Sequence, residues 1–255
     1  GRRKKVALLF ISLNPNYWPY LEQVIDDCKK LFLPQHSVDY FVWTDVPPKN
    51  ENQGLKNVLD TLPTQEELNK EIADGKGMRC FSREVIHGTV ARLWQLKDVN
   101  IIESGPIEWP APTLMRYHLF LHEEERLKDY DYIFYLDADM RVVTKISDEI
   151  LGDGLTCAPH PGYAISPRYV PPLEPNPEST AFIHRLGQYV QEEAGNTRFM
   201  PFYAAGGFQG GKAKLFIHAM KKMRDNIDKD FNNNYTAIWN DETHFNRYLF
   251  ENPPA

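Results

Sequence analysis

Between residues 6 and 45 the chain reads strand, helix, strand. "VALLFISL" at 6–13 is an unbroken apolar run of strand length, closed by the turn-forming "NPN". Trp18, Leu21, Val24, Ile25, Cys28, Leu31 and Phe32 then recur at helical spacing until Pro34, and "VDYFVWTD" at 38–45 is a second apolar run. Two such strands joined by an amphipathic helix open a parallel α/β sheet. A chain of 255 residues can complete that sheet as one large domain, and no internal repeat or low-complexity linker divides it.

Further along, the pattern predicts a loop at "PPKNENQG", helices over 64–73 and 82–97, and a helix from Leu114 to about Leu127 with Thr113 as N-cap. A strand is expected at 131–136 and a short one near "LTCAPH". A proline-rich loop at 167–177 and a helix over 179–194 should follow, then the glycine-rich "FYAAGGFQGG" and helices near 212–228 and 241–250.

Charge excludes some functions. The formal net charge is −6 and only Arg2 to Lys5 form a basic run, so there is no basic stripe for nucleic acid. No apolar stretch approaches the roughly 20 residues of a membrane span. Cys28, Cys80 and Cys157 lack metal-ligand spacing and suit a reducing compartment as packed small residues.

The strand at 131–136 runs into "LDADM". If it is buried, Asp137 and Asp139 emerge at its C-terminal end two residues apart, where open α/β sheets keep their ligands. Two such carboxylates are hard oxygen donors suited to Mg²⁺ or Mn²⁺ carrying a diphosphate, or else ordinary acidic residues at a strand end. A second acidic pair, Asp241 and Glu242 in "NDETHFN", either complements a helix N-terminus or serves an electrophilic carbon. "AAGGFQGG" is neither a dinucleotide fingerprint nor a P-loop; its Ala205 to Gly207 portion reads as the wall of a sugar site or as tight strand packing. His160 and Trp239 lie near these groups in sequence, each with a structural alternative.

Six blocks in order, "YFVWTD", "WPAPTLMRYHLF", "DYIFYLDADM", "APHPGY", "FYAAGGFQGG" and "IWNDETHFNRYLFENPP", resemble glycosyltransferase family 6. This is the family of blood-group A and B transferases and α1,3-galactosyltransferases, and the chain is most similar to its short bacterial or phage-type members. The resemblance implies an α/β GT-A fold, a Rossmann-like mixed sheet flanked by helices. It implies a single catalytic domain over 1–255, its nucleotide-binding half about 1–140 and its acceptor half about 141–255. The implied reaction is retaining transfer of N-acetylgalactosamine or galactose from a UDP-sugar to a galactoside or oligosaccharide, in α1,3 linkage. In that assignment Asp137 and Asp139 hold Mn²⁺ or Mg²⁺, and Ile11, Ser12, Leu13 and Tyr17 cradle the uracil. Arg116, Ala138, Ala205, Gly206, Gly207 and Asp241 serve the donor, Glu242 stands beneath the anomeric carbon, and His160 and Trp239 contact the acceptor. Small residues at Ala205 and Gly207 favour the N-acetylated sugar.

Departures accompany the match. The chain keeps DAD where bacterial members often have a metal-independent NxN, which implies metal dependence; Asn240 stands where the family usually has His, and residues 47–108 do not align. A closing tail is expected beyond "ENPPA" and is not in this sequence. The bacterial reading implies a cytoplasmic protein, or the Golgi lumen if a membrane anchor precedes the chain. Two rivals remain: a non-catalytic sugar-nucleotide or glycan-binding relative, and a DxD phosphatase, which Arg141 disfavours by standing where Thr or Val is expected.

Overall fold

The computed structural model describes residues 1–104, 111–164, 171–184 and 203–255. The chain divides into two compact units, one of Gly1–Ile107 with Leu136–Ser147, the other of Glu108–Tyr135 with Asp148–Ala255.

In the first unit β1 (Lys5–Ser12), β2 (Ser37–Thr44) and β3 (Val99–Glu103) form a parallel sheet in the order β3-β2-β1. Val6 to Phe10 are fully buried, each large side chain contributing roughly 2 kcal/mol of hydrophobic stabilisation. Between β1 and β2 runs α1 (Trp18–Leu31), which buries Trp18, Leu21, Val24, Ile25 and Cys28 as its periodicity predicts. The register aligns Ser12 with Thr44, and Thr44 with Glu103, so the C-terminal ends of all three strands share one edge. Three further helices follow, α2 (Asn52–Asp60), α3 (Gln65–Ala73) and α4 (Arg83–Gln95). α3 starts in a capping box between Thr64 and Glu67, and α4 starts at Ser82, whose hydroxyl accepts from the Val85 N–H. The expected loop at 47–54 therefore yields to helix at Asn52. β3 was not anticipated, because its five residues are only partly covered and show no apolar run.

The second unit holds β4 (Tyr132–Leu136, four of its five residues), β5 (Leu155–Pro159) and β6 (Ala204–Lys212) in the order β4-β6-β5. β5 and β6 pair antiparallel, giving the mixed α/β architecture expected of a GT-A fold. The glycine-rich segment is thus a strand. Its register breaks where Cys157 faces Gln209 but Pro159 faces Ala204, so β6 bulges through Ala205–Phe208 opposite Ala158. Packed in this unit are α9 (Ala213–Asn232) and α10 (Asn240–Glu251), which bury Phe216, Met220, Met223, Phe245 and Leu249.

Two predicted helices differ. The 114–127 helix is three short pieces, α5 (Ala111–Leu114), α6 (Arg116–Leu121) and α7 (Glu124–Leu127), with Thr113 inside the first rather than capping it. Breaks at Met115 and Glu123 leave helical geometry and free α6 to bury Arg116, Tyr117 and Phe120. A further single turn, α8, spans Pro161–Ala164. Of the predicted 179–194 helix, residues 179–184 are bends, turns and irregular chain, with the Ser179 hydroxyl and Thr180 N–H both bonded to Asp230 instead of starting a helix. The remainder of that helix, and part of the proline-rich loop, lie outside the described residues. No described helix is long and apolar enough to cross a membrane.

Candidate functional site

The first unit carries the residues assigned to the nucleotide. Ser12 ends β1 buried, its backbone C=O accepting from the Thr44 hydroxyl at 2.6 Å, while its own hydroxyl has no partner among the described residues. Ile11 and Leu13 are half-buried beside it, and Tyr17 is 47% exposed one turn later. Asn14, at φ 83°, turns the chain at this point. Asp45 fixes that turn: its carboxylate accepts the Asn14 N–H at 3.0 and 3.1 Å and the Trp18 indole N–H at 2.9 Å. Sequence reasoning placed Asp45 at a strand end without seeing this role.

Strand alternation does not extend to the Asp137 and Asp139 pair. β4 stops at Leu136, and the triplet forms a turn closed by the Met140 N–H on the Asp137 C=O at 3.2 Å. Asp137 is half-buried, Ala138 buried and Asp139 exposed. Just beyond, Arg141 pairs with Asp27 of α1 through bonds of 2.7 and 3.1 Å, and the Val142 N–H adds a third at 3.1 Å. The Arg141 hydrogen bonds hold the Asp27 carboxyl below the usual carboxylate range against its partial burial. Asp27 thus anchors the segment after the acidic turn, a role hidden in the sequence because it sits among helix-surface residues.

A cation site can be built from these two carboxylates only with outside help. No group of three or more His, Cys, Asp or Glu side chains clusters for a metal among the described residues. Mg²⁺-like ions are commonly bound in this way, one or two carboxylates supplying part of a shell that phosphate oxygens and water complete. The donor set fits a diphosphate-borne Mn²⁺ or Mg²⁺ better than a self-sufficient metal centre.

The second unit brings the other acidic pair into one constellation. Asp241 and Glu242 occupy the first turn of α10 and face the β6 bulge. Asp241 is 3% exposed, its Oδ2 lying 2.8 Å from Arg116 Nε in a buried ion pair. Arg116 also donates through Nη1 to the Gly206 C=O at 2.7 Å and stacks its guanidinium 4.1 Å from the Tyr135 ring centroid. Glu242 is half-buried: Oε1 accepts the Gly206 N–H at 2.9 Å and Oε2 accepts the Tyr203 hydroxyl at 2.8 Å. Gly206 has no β5 partner in the register, and side chains satisfy both of its polar groups. Asn246 ties α10 to the same strand, its amide exchanging bonds of 2.7 and 2.9 Å with the Ala204 backbone.

Gly206 packs closely on Glu242, since a Cβ there would sit 3.2 Å from Glu242 Cβ and press that side chain aside by a few tenths of an ångström. Ala205 and Gly207 lie in the bulge, partly accessible. His160, at the end of β5, has its ring centroid 5.8 Å from that of Tyr203 and 4.9 Å from that of Tyr163, and its backbone N–H donates to the Tyr203 C=O. Trp239 directly precedes α10 and is 52% exposed, so it is not a core residue. Arg116, Gly206, Asp241, Glu242 and His160 are thereby linked through one set of contacts. Tyr203, inside "FYAAGGFQGG", reaches Glu242 across 39 residues, a contact that no local sequence pattern signals.

Comparison with known proteins adds a family. Residues 89–255 match the family model of glycosyltransferase family 6. Histo-blood group ABO system transferase 2 of Rattus norvegicus is 30% identical over 241 residues, covering 94% of this chain and 57% of that protein. Globoside alpha-1,3-N-acetylgalactosaminyltransferase 1 of Homo sapiens is 24% identical over 241 residues, covering 94% and 55%. The O-antigen biosynthesis glycosyltransferase WbnI of Escherichia coli is 26% identical over 250 residues, covering 98% and 84%. The chain spans little more than half the length of the two mammalian relatives.

Proposed function

The chain belongs to glycosyltransferase family 6, and from that premise we propose that it is a retaining hexosyltransferase, moving N-acetylgalactosamine or galactose from a UDP-sugar to a galactoside in α1,3 linkage. The observation that carries this reading is the Glu242 carboxylate, held by Tyr203 and Gly206 on its two oxygens and half-exposed beside the buried Arg116–Asp241 pair. A carboxylate fixed at both oxygens has little freedom to reorient when positive charge develops at an anomeric carbon, which is the property a retaining transfer needs.

Each named group has one task. Asp241, oriented by Arg116, hydrogen-bonds donor-sugar hydroxyls, so Arg116 serves the donor through Asp241 and Gly206. Glu242 lies beneath the anomeric carbon as nucleophile or charge stabiliser. Asp137 and Asp139 hold Mn²⁺ or Mg²⁺, whose charge neutralises the leaving diphosphate when bound. Ile11, Ser12, Leu13 and Tyr17 receive the uracil. Small side chains at Ala205 and Gly207 leave room for an N-acetyl group, which favours N-acetylgalactosamine over galactose without excluding the smaller sugar. His160 and Trp239 receive the galactoside, and relatives named for blood-group and globoside transfer support that choice of substrate class.

The test is calorimetric titration of UDP with Mn²⁺, with EDTA and on Asp139→Ala, followed by hydrolysis of UDP-N-acetylgalactosamine and UDP-galactose. Metal-dependent binding lost in the variant, with hydrolysis giving the α-anomer first, supports the proposal. Binding indifferent to EDTA removes the metal from it, and UDP binding without turnover of either donor makes the chain a sugar-nucleotide binder.

A further inference from the structure

The second unit contains another buried acidic cluster, which none of these tasks uses. Glu174 is 4% exposed and Asp230 3%. Glu174 Oε1 accepts the Tyr235 hydroxyl and the Asn176 N–H, and Oε2 accepts the Ile238 N–H at 2.8 Å. Asp230 accepts the Ser179 hydroxyl at 2.5 Å and the Thr180 N–H at 2.8 Å, with His244 Nε2 3.7 Å away. Thr180 in turn donates its hydroxyl to the Asn226 C=O and accepts Arg247 Nε at 3.3 Å. Residues 174–180 are thus stitched to α9, to α10 and to the connector between them.

Burying carboxylates against hydroxyls and backbone amides is costly, and an apolar seam of the same shape would serve stability at least as well. What the carboxylate of Glu174 adds is direction. It grips the connector at Tyr235 and Ile238, while the Trp239 N–H bonds Thr243 Oγ1 at 2.9 Å on the helix side. Between these two fixings the chain displays Ile238, 47% exposed, and Trp239, 52% exposed, immediately before Asp241 and Glu242. A large indole half in solvent, three residues before Glu242 in the chain, offers the flat apolar surface on which a sugar face stacks.

We propose that Glu174 is a positioning residue for acceptor binding: by holding Tyr235 and the Ile238 N–H it sets where Trp239 presents its ring relative to Glu242. This rests on the transferase reading. Glu174 touches no reacting atom and acts only through the connector.

Glu174→Gln tests it, with Tyr235→Phe as a milder second variant. Each is compared with wild type for acceptor KM, for acceptor-free hydrolysis of the UDP-sugar, and for amide exchange along 235–239. The expected result is an acceptor KM raised about fivefold, the effect of one lost hydrogen bond, with hydrolysis unchanged and exchange faster only in the connector. Unchanged acceptor KM in both variants, or hydrolysis falling in parallel with transfer, overturns the proposal. If wild type turns over no UDP-sugar, the transferase reading has failed on its own account; unchanged connector exchange in the variants would then separately refute the grip by Glu174.

Discussion

Tyr203 donates its phenolic hydrogen to Glu242 at 2.8 Å from the position just before β6, and the Gly206 N–H in the bulge of that strand supplies the other donor. Burial foremost, then the Glu242 charge, pushes the Tyr203 hydroxyl far above its ordinary pKa, so it stays a donor at any working pH. Tyr203→Phe should lower transfer kcat about tenfold, the usual worth of one hydrogen bond to a charged group, and leave UDP affinity unaltered. Glu242→Gln should remove most transfer, again with UDP retained. Steady-state kinetics beside UDP titration check both, and a Tyr203→Phe enzyme of wild-type kcat would leave Gly206 as the sole holder of Glu242.

Two glycines of β6 predict opposite phenotypes. A Cβ at Gly206 meets Glu242 Cβ at 3.2 Å, a side chain able to shift, so Gly206→Ala should lose activity with little change in melting temperature. At Gly210 the same atom would lie 2.2 Å from the Ile133 C=O and 2.5 Å from Phe134, where backbone must move. Gly210→Ala should therefore destabilise by about 3 kcal/mol or more, as overpacking of a core does. Thermal melts and activity of the two proteins, measured together, decide; equal melting temperatures would refute the distinction.

What the sequence revealed follows from range. β1, α1 and β2 were legible because Val6 to Phe41 alternates apolar runs and helical periodicity within one local segment. Both acidic pairs were legible because each ends or begins an element. Their surroundings were not: Arg116 meets Gly206 across 90 residues and Glu174 meets Ile238 across 64, and no local pattern encodes such pairings. The predicted continuous helix over 114–127 failed for the same reason, since long-range partners of Arg116 and Tyr117 outweighed helical propensity at Met115.

The Arg116–Asp241 pair is buried on both sides, with side chains 6% and 4% exposed. Removing either partner strands a charge, at a typical cost of about 3–5 kcal/mol. Arg116→Met and Asp241→Leu should each lower the urea midpoint sharply, while the double variant recovers much of the stability and none of the activity. A double variant no more stable than the worse single one would mean that Arg116 acts mainly through Gly206 and Tyr135.

His244 gives the fold a pH dependence of defined sign. It is 2% exposed, with neither ring nitrogen hydrogen-bonded among the described residues, and burial lowers its pKa from 6.5 to about 4 against the opposing pull of Asp230 and Glu174. The unfolded chain therefore takes up a proton below pH 6.5 that the folded protein refuses until about pH 4. Stability is complete above the unfolded value and declines as pH falls across that window, by roughly 3 kcal/mol at its end. Asp27, whose depressed pKa also favours folding, adds its loss only below its unfolded value of 3.8, outside the window. Urea midpoints at pH 7, 6, 5 and about 4.5 should fall in wild type and fall less steeply in His244→Leu. Equal slopes in the two proteins would mean that His244 is protonated alike in the folded and unfolded states, and that its burial carries no titration cost.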